Sequence, residues 1–208
     1  MAPLDHAVEL LDRSLSYTRV ALNHVTDADL ARPTPCERWN LGQLLAHMED
    51  ALDAFAEGHH GAIDLDDLTP ALVRVQNLQR KACALLAVWS RPAPPTVRIG
   101  EYDVATEVVA LTAALDITVH GWDVAQAVGA DLPVPARLAR DLLAVAEWLI
   151  PATGREDRFA PALDVPDDAS EEQRLLGFLG RDARPGMSVT KPKVKLTRNR
   201  HPGGATGS

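Results

Sequence analysis

Three side chains in this sequence have the types and the spacing of ligands for a divalent metal ion. Asp116 and His120 are four residues apart in a long apolar stretch, so in a helix both lie on one face, one turn apart. His47 lies in another stretch of helical periodicity, beside Leu44 and Ala51. If these two helices pack side by side, the three ligand atoms can converge on one point.

Two imidazoles and one carboxylate suit Zn²⁺, Ni²⁺ or Fe²⁺, and they leave coordination positions open for water or substrate. Zinc is the ion we expect. Spacing by itself supports this site weakly. An Asp four residues before a His is often only a pair on a helix surface, and a lone His such as His47 is more often a core or capping residue.

Other polar residues have both a functional and a structural interpretation. Asp123, next to Trp122 and close to His120, could orient a metal-bound imidazole from behind, although a helix-surface Asp fits equally well. Cys36 is more typical of a packed loop residue than of a reactive thiol. Several further residues could meet an anionic substrate or bind metal adventitiously, and each is more often a solvated group: Arg38, Arg74, Arg80, His59 and His60.

The elements that must position these residues are predicted to be helices. Hydrophobic residues make up 46% of the 208-residue chain and aromatic residues only 4%, a composition that favours close-packed helices. The fold class is therefore all-α, a bundle of four long helices with additional short C-terminal helices. Residues 96–102 are predicted as a short extended piece, and nothing in the sequence indicates a sheet. The predicted helices are 4–25, 40–58, 69–89, 103–128, 135–148 and one that begins at 170.

The charge distribution divides the chain into one domain, 1–185, and a basic tail, 186–208. The tail holds five basic residues and no acid, so the body is more acidic than the formal net charge of −8. An acidic body argues against nucleic acid as the main partner. The tail is predicted to be a disordered extension, although it could touch an anionic surface. With two cysteines and no apolar run of membrane-spanning length, a cytoplasmic protein is predicted.

Three motifs resemble, in the same order, those of a known family. They are Arg32–Leu41 followed by Leu44-Leu45-Ala46-His47, Leu115–Ala125 with its Asp-x-x-x-His pair, and Arg174–Asp182. Together they resemble the actinobacterial metal-binding proteins related to the N-terminal domain of mycothiol-dependent maleylpyruvate isomerase, in the DinB/YfiT-like superfamily. The resemblance implies a DinB-like bundle in which His47, Asp116 and His120 bind the metal. The carboxylate is often Glu in the isomerase, so the shorter Asp here affects geometry or metal preference.

The same resemblance implies a mechanism. A metal-bound low-molecular-weight thiol such as mycothiol would become a thiolate and add to an electrophilic small molecule, either to isomerise it or to leave a conjugate. Two alternatives keep the metal site. One is a hydrolase or lyase that uses metal-bound water, and the other is a non-catalytic helical protein that binds metal. Proteins of this superfamily are often homodimers, so a homodimer is also expected.

Overall fold

The computed structural model describes residues 3–36, 39–57, 69–89, 94–151, 155 and 159–183. These residues form helices joined by loops and by one small β-hairpin, so the prediction of a helical bundle is confirmed. The elements, in chain order, are α1 (Pro3–Leu22), α2 (Leu41–Glu57), α3 (Ala71–Trp89), β1 (Thr96–Ile99), β2 (Tyr102–Ala105), α4 (Thr106–Val128), α5 (Ala136–Leu149) and α6 (Glu171–Phe178).

The four long helices form the body of the bundle. Helix α1 packs most extensively on α4, α2 packs on α3, and further contacts between α2 and α4 and between α1 and α3 close the ring. Leucines fill most of the space between them, among them Leu10, Leu44 and Leu78, each at most 1% exposed. Burial of this apolar surface is the main favourable contribution to folding. The pairing of α2 with α4 is the arrangement that the predicted metal site requires.

Helix α4 is the central element of the bundle. It is buried around most of its circumference, although Val108 is only half-buried. The reason is that small residues such as Ala113, Ala114 and Gly121 let neighbouring helices approach α4 from several sides.

Helix α4 is also long and apolar enough to cross a membrane by length and composition, with a mean hydropathy of 1.3. The expectation that the chain has no apolar run of membrane-spanning length is therefore wrong for this helix. In the structure, 83% of its most apolar 18-residue segment is buried among other parts of the protein. This is the environment of a core helix in a soluble protein.

The expectation that residues 96–102 contain no sheet is wrong. Strands β1 and β2 pair antiparallel, with Thr96 opposite Ala105 and Ile99 opposite Tyr102. The two-residue turn between them uses Gly100 at a φ of 59°, which favours glycine because it has no Cβ. Since β2 occupies residues up to Ala105, α4 begins at Thr106 and not at residue 103.

The two C-terminal helices pack on each other and on the outside of the bundle. Helix α5 contacts α6, α4 and α1. Helix α6 begins after Ser170, whose hydroxyl accepts a hydrogen bond from the Gln173 amide, as its sequence predicts. Glu172 accepts from the Val134 amide at 2.9 Å and thereby fixes α6 to the loop before α5. The predicted tail, 186–208, lies outside the described residues.

Candidate metal centre

A short loop before α2 shapes one side of the site. Its ends are held by hydrogen bonds from the Leu41 and Gly42 amides to the carbonyls of Arg32 and Leu30. The buried Thr34 hydroxyl lies 2.8 Å from the Trp39 carbonyl. Helix α2 is then capped at Asn40: the Asn40 side chain accepts a hydrogen bond from the Gln43 amide, and the Gln43 side chain accepts one from the Asn40 amide. The loop is thus fixed at the point where it delivers Trp39 to the site.

The three residues predicted as metal ligands converge. His47 projects from α2, and Asp116 and His120 project from α4, with potential ligand atoms that all lie within 4.8 Å of one another. Nε2 of His120 is 3.5 Å from Oδ1 of Asp116. The rings of His47 and His120 meet nearly at right angles, with centroids 5.1 Å apart. Trp39 stacks on His47 at a centroid distance of 4.3 Å and so limits the movement of that ring.

Asp123 lies behind His120, in the position predicted for a residue that orients the imidazole. Nδ1 of His120 is 3.0 Å from Oδ2 of Asp123, which is fully buried. The same carboxylate accepts two hydrogen bonds from Arg181, at 2.9 and 2.8 Å. An ionised carboxylate can only accept, so the bond fixes the proton of a neutral His120 on Nδ1 and leaves the Nε2 lone pair facing Asp116.

The charges of the Asp123–Arg181 pair stabilise each other. Burial by itself would raise the pKa of Asp123, but attraction and hydrogen bonds from Arg181, followed by those from His120, bring it below its ordinary value. Burial would likewise lower the pKa of Arg181, and the attraction of Asp123 outweighs that effect, so the pKa is raised. Asp123 is therefore a carboxylate and Arg181 a guanidinium at neutral pH.

A second group of potential ligands shares His120. Cys36, His120 and Asp123 also have ligand atoms within 4.8 Å of one another. This group is less suited to a cation, because Arg181 already neutralises the Asp123 carboxylate with two hydrogen bonds. A metal ion there would have to displace a buried guanidinium. Cys36 is half-buried at this position.

The remaining predicted residues fall elsewhere. Trp122 is buried, and its side chain hydrogen bonds with Glu172 of α6. Arg80 is exposed on α3, where it donates to Asn77. Arg74 is buried and pairs with Glu49 of α2, with 3.7 Å between the charged atoms. These contacts hold helices together, and the structure does not bring Arg74 or Arg80 into the ligand set. Arg38, His59 and His60 lie outside the described residues.

Sequence reasoning gave no role to two residues of the site, Trp39 and Arg181. Both were quoted only as parts of motifs. The sequence signal for Arg181 was its place in the run Leu179-Gly180-Arg181-Asp182, where a basic residue follows a glycine. In the structure this glycine, just after α6, adopts a left-handed backbone conformation with a φ of 76°. That glycine turns the chain back toward α4, and Arg181 then reaches Asp123, 58 residues earlier in the sequence.

Comparisons with known proteins agree with this architecture. Two uncharacterised proteins from two strains of Mycobacterium tuberculosis are each 25% identical to this chain over 167 residues, which is 78% of this chain and 91% of the relative. A crystal structure of the mycothiol-dependent maleylpyruvate isomerase shares the fold, with a TM-score of 0.54 at 14% identity over 68% of each chain. The predicted DinB-like bundle is thereby confirmed.

The family itself is shown by a sequence model. The model described as the mycothiol maleylpyruvate isomerase N-terminal domain matches residues 11–125, from the middle of α1 to near the end of α4. The match includes all three candidate ligands and Asp123. It spans more than half of the 208 residues, so this chain belongs to the mycothiol maleylpyruvate isomerase N-terminal domain family.

Proposed function

We propose that this protein is a divalent-metal-dependent enzyme that uses a low-molecular-weight thiol, mycothiol or a close analogue. The thiol would be transferred to an electrophilic small molecule or would catalyse its isomerisation. His47, Asp116 and His120 would hold the metal, for which zinc is the expected ion. We further propose that the enzyme acts in the cytoplasm and that nucleic acid is not its partner.

The contact between His120 and Asp116 is the main observation that supports the proposed metal site. With its proton on Nδ1, His120 presents a lone pair to the Asp116 carboxylate at 3.5 Å. Two acceptors at this distance repel each other unless a cation lies between them or the imidazole carries a second proton. The convergence of His47 on the same point favours the cation, because an imidazolium would not require a third ligand.

The donor set fits zinc. Tetrahedral Zn²⁺ with nitrogen and oxygen ligands at about 2.0–2.2 Å places neighbouring ligand atoms about 3.4 Å apart. The His120–Asp116 pair already has this separation at 3.5 Å. No two ligand atoms of the set are more than 4.8 Å apart, so only a small closure of the site onto a zinc ion would be required.

The chain's own residues prepare the site for this chemistry. Asp123 orients His120 and fixes its tautomer, Arg181 keeps Asp123 ionised, and Trp39 covers one face of His47. A divalent ion bound here would lower the pKa of a coordinated thiol and so supply a thiolate at neutral pH. Mycothiol is proposed as the thiol because the family is named for a mycothiol maleylpyruvate isomerase and the solved isomerase is described as mycothiol-dependent.

The test is turnover by zinc-loaded protein with mycothiol and either maleylpyruvate or 1-chloro-2,4-dinitrobenzene. The first substrate reports isomerisation and the second reports transfer with loss of chloride. We expect at least one reaction to depend on both mycothiol and the protein, and His120→Ala to abolish it. The absence of mycothiol-dependent turnover of both compounds at full metal occupancy would contradict the proposal.

A further inference from the structure

A groove between α1 and α3 opens next to the candidate metal ligands. Its volume is about 570 Å³, within the range of roughly 300–1,000 Å³ typical of small-molecule sites. Asp116 lines it, so one residue belongs to both the groove and the ligand set. Apolar side chains from all four long helices line it, among them Leu15, Leu22, Met48, Leu78, Leu86 and Ile117.

Asp116 connects the groove to the candidate metal ligands. The side chain of Asp116 is 29% exposed, whereas that of His120 is 9% exposed. His47 is half-buried and has Trp39 stacked on one face. Asp116 is thus more open than His120, and among the three candidate ligands it is the one that lines the groove.

The charges of the groove define the class of molecule that fits. Asp12 and Arg19 of α1 have opposite signs and offset each other, whereas a divalent ion on Asp116 would leave one positive charge at that end of the groove. Away from Asp116 the groove therefore has no net charge, and its apolar lining there favours a neutral, largely hydrophobic group. Polar side chains such as Ser16 and Gln79 also line the groove, so the bound molecule can carry a few polar atoms.

We propose that the groove binds the second substrate of this reaction, a neutral and largely apolar electrophile. This inference rests on the proposed function. Its reactive carbon would lie near Asp116, and its apolar part would extend between α1 and α3 toward Cys83. The thiol would reach the metal from outside the groove. This assignment gives the two substrates separate binding sites. It predicts that a substitution in the groove weakens binding of the electrophile without weakening binding of the thiol.

A direct binding test uses 1,3-dinitrobenzene, a neutral aromatic that lacks a leaving group, with zinc-loaded full-length protein. Ala82→Phe inserts a ring into the groove, and Ala84→Phe adds the same ring on the exposed face of α3. We expect Ala82→Phe to raise the Kd at least about tenfold, and Ala84→Phe to leave it unchanged. An unchanged Kd in Ala82→Phe would overturn the proposal.

Wild-type protein supplies a second measurement if Ala82→Phe fails to fold. Cys83 is exposed and lines the groove, whereas Cys36 lies near His120, so the two thiols report on different places. Iodoacetamide labelling of each is followed by peptide mass spectrometry. Saturating 1,3-dinitrobenzene should slow the labelling of Cys83 and leave the labelling rate of Cys36 unchanged. Equal labelling of Cys83 with and without the probe would contradict the assignment.

The two proposals fail in different ways. If the probe protects Cys83 but no mycothiol-dependent turnover occurs, the groove binds apolar molecules and the proposed reaction is wrong. If turnover of 1-chloro-2,4-dinitrobenzene occurs and its KM is the same in Ala82→Phe, the reaction stands and the groove assignment is wrong.

Discussion

Nδ1 of His120 lies 3.0 Å from Oδ2 of Asp123, and this contact determines which ring nitrogen is left for a metal ion. The two residues are three positions apart on α4, so helix geometry holds them together. Arg181 donates a hydrogen bond to each of the two oxygens of the same carboxylate. The candidate ligand is therefore supported by a charge pair that reaches from α4 to the end of α6.

Asp123→Asn should weaken metal binding without abolishing it. The amide keeps the size of the side chain but loses the charge that fixes the His120 tautomer, so we expect affinity for zinc to fall by about 10–100-fold. Competition with a coloured chelator measures the change. Asp141→Asn is the matched control, because Asp141 pairs with Arg13 elsewhere on the surface. Equal affinities in the two variants would show that Asp123 does not support the site.

Arg181→Met should destabilise the fold, because it leaves the buried Asp123 carboxylate without its main counter-charge. Removal of one partner of a buried pair costs about 3–5 kcal/mol. Urea denaturation gives the free energy of unfolding. The control is Arg140→Met, which removes a largely exposed partner of Glu171 and should cost less than about 1 kcal/mol. If both variants lose the same small amount, the Asp123–Arg181 pair does not hold α6 to the bundle.

Glu172 should make the protein less stable as pH rises. Burial raises its pKa above the ordinary value, although bonds from Val134 and Trp122 oppose the shift. A raised pKa in the folded state gives a contribution to stability that is fully present below the unfolded pKa and is lost as pH rises through the folded pKa. Glu172→Gln keeps a hydrogen-bond acceptor and does not titrate. The difference in unfolding free energy, wild type minus variant, should therefore decrease between pH 4 and pH 7. A constant difference would contradict the role of Glu172.

Gly121→Ala should separate α1 from α4. A Cβ at this position would lie 2.3 Å from the Thr18 hydroxyl oxygen and 3.1 Å from the Thr18 Cα, so rotation of the threonine side chain cannot relieve the contact. We expect a loss of about 1–3 kcal/mol of stability. Gly42→Ala, whose nearest contact is 3.4 Å, should be tolerated. A thermal melt of both variants distinguishes them, and equal Tm values would show that the close approach is not needed.

The part of the site that lies within one helix could be predicted from sequence. Asp116 and His120 are four residues apart, and helix geometry alone puts them one turn apart. The addition of His47 required the pairing of α2 with α4, and His47 was assigned as a ligand through the resemblance to the family. Three helix ends also agree with local residue types. Asn40 and Ser170 are favoured at helix starts and precede α2 and α6, and Gly129 is favoured after a helix and follows α4.

The rest depended on long-range packing. Arg181 reaches Asp123 only because Gly180 reverses the chain after α6, and no local pattern specifies that distance. Trp39 stacks on His47 because hydrogen bonds fix the loop before α2. The hairpin was missed because its strands are only four residues long, although the glycine at position 100 is the kind of residue that its turn requires.

The most direct test of the metal centre is elemental analysis of protein purified without chelators. We predict about one divalent metal ion per chain in the wild type, with the stoichiometric metal lost in His47→Ala and in His120→Ala. His24→Ala, an exposed histidine just after α1, should retain the metal and serves as the control. Unchanged metal content in both His47→Ala and His120→Ala would contradict the account.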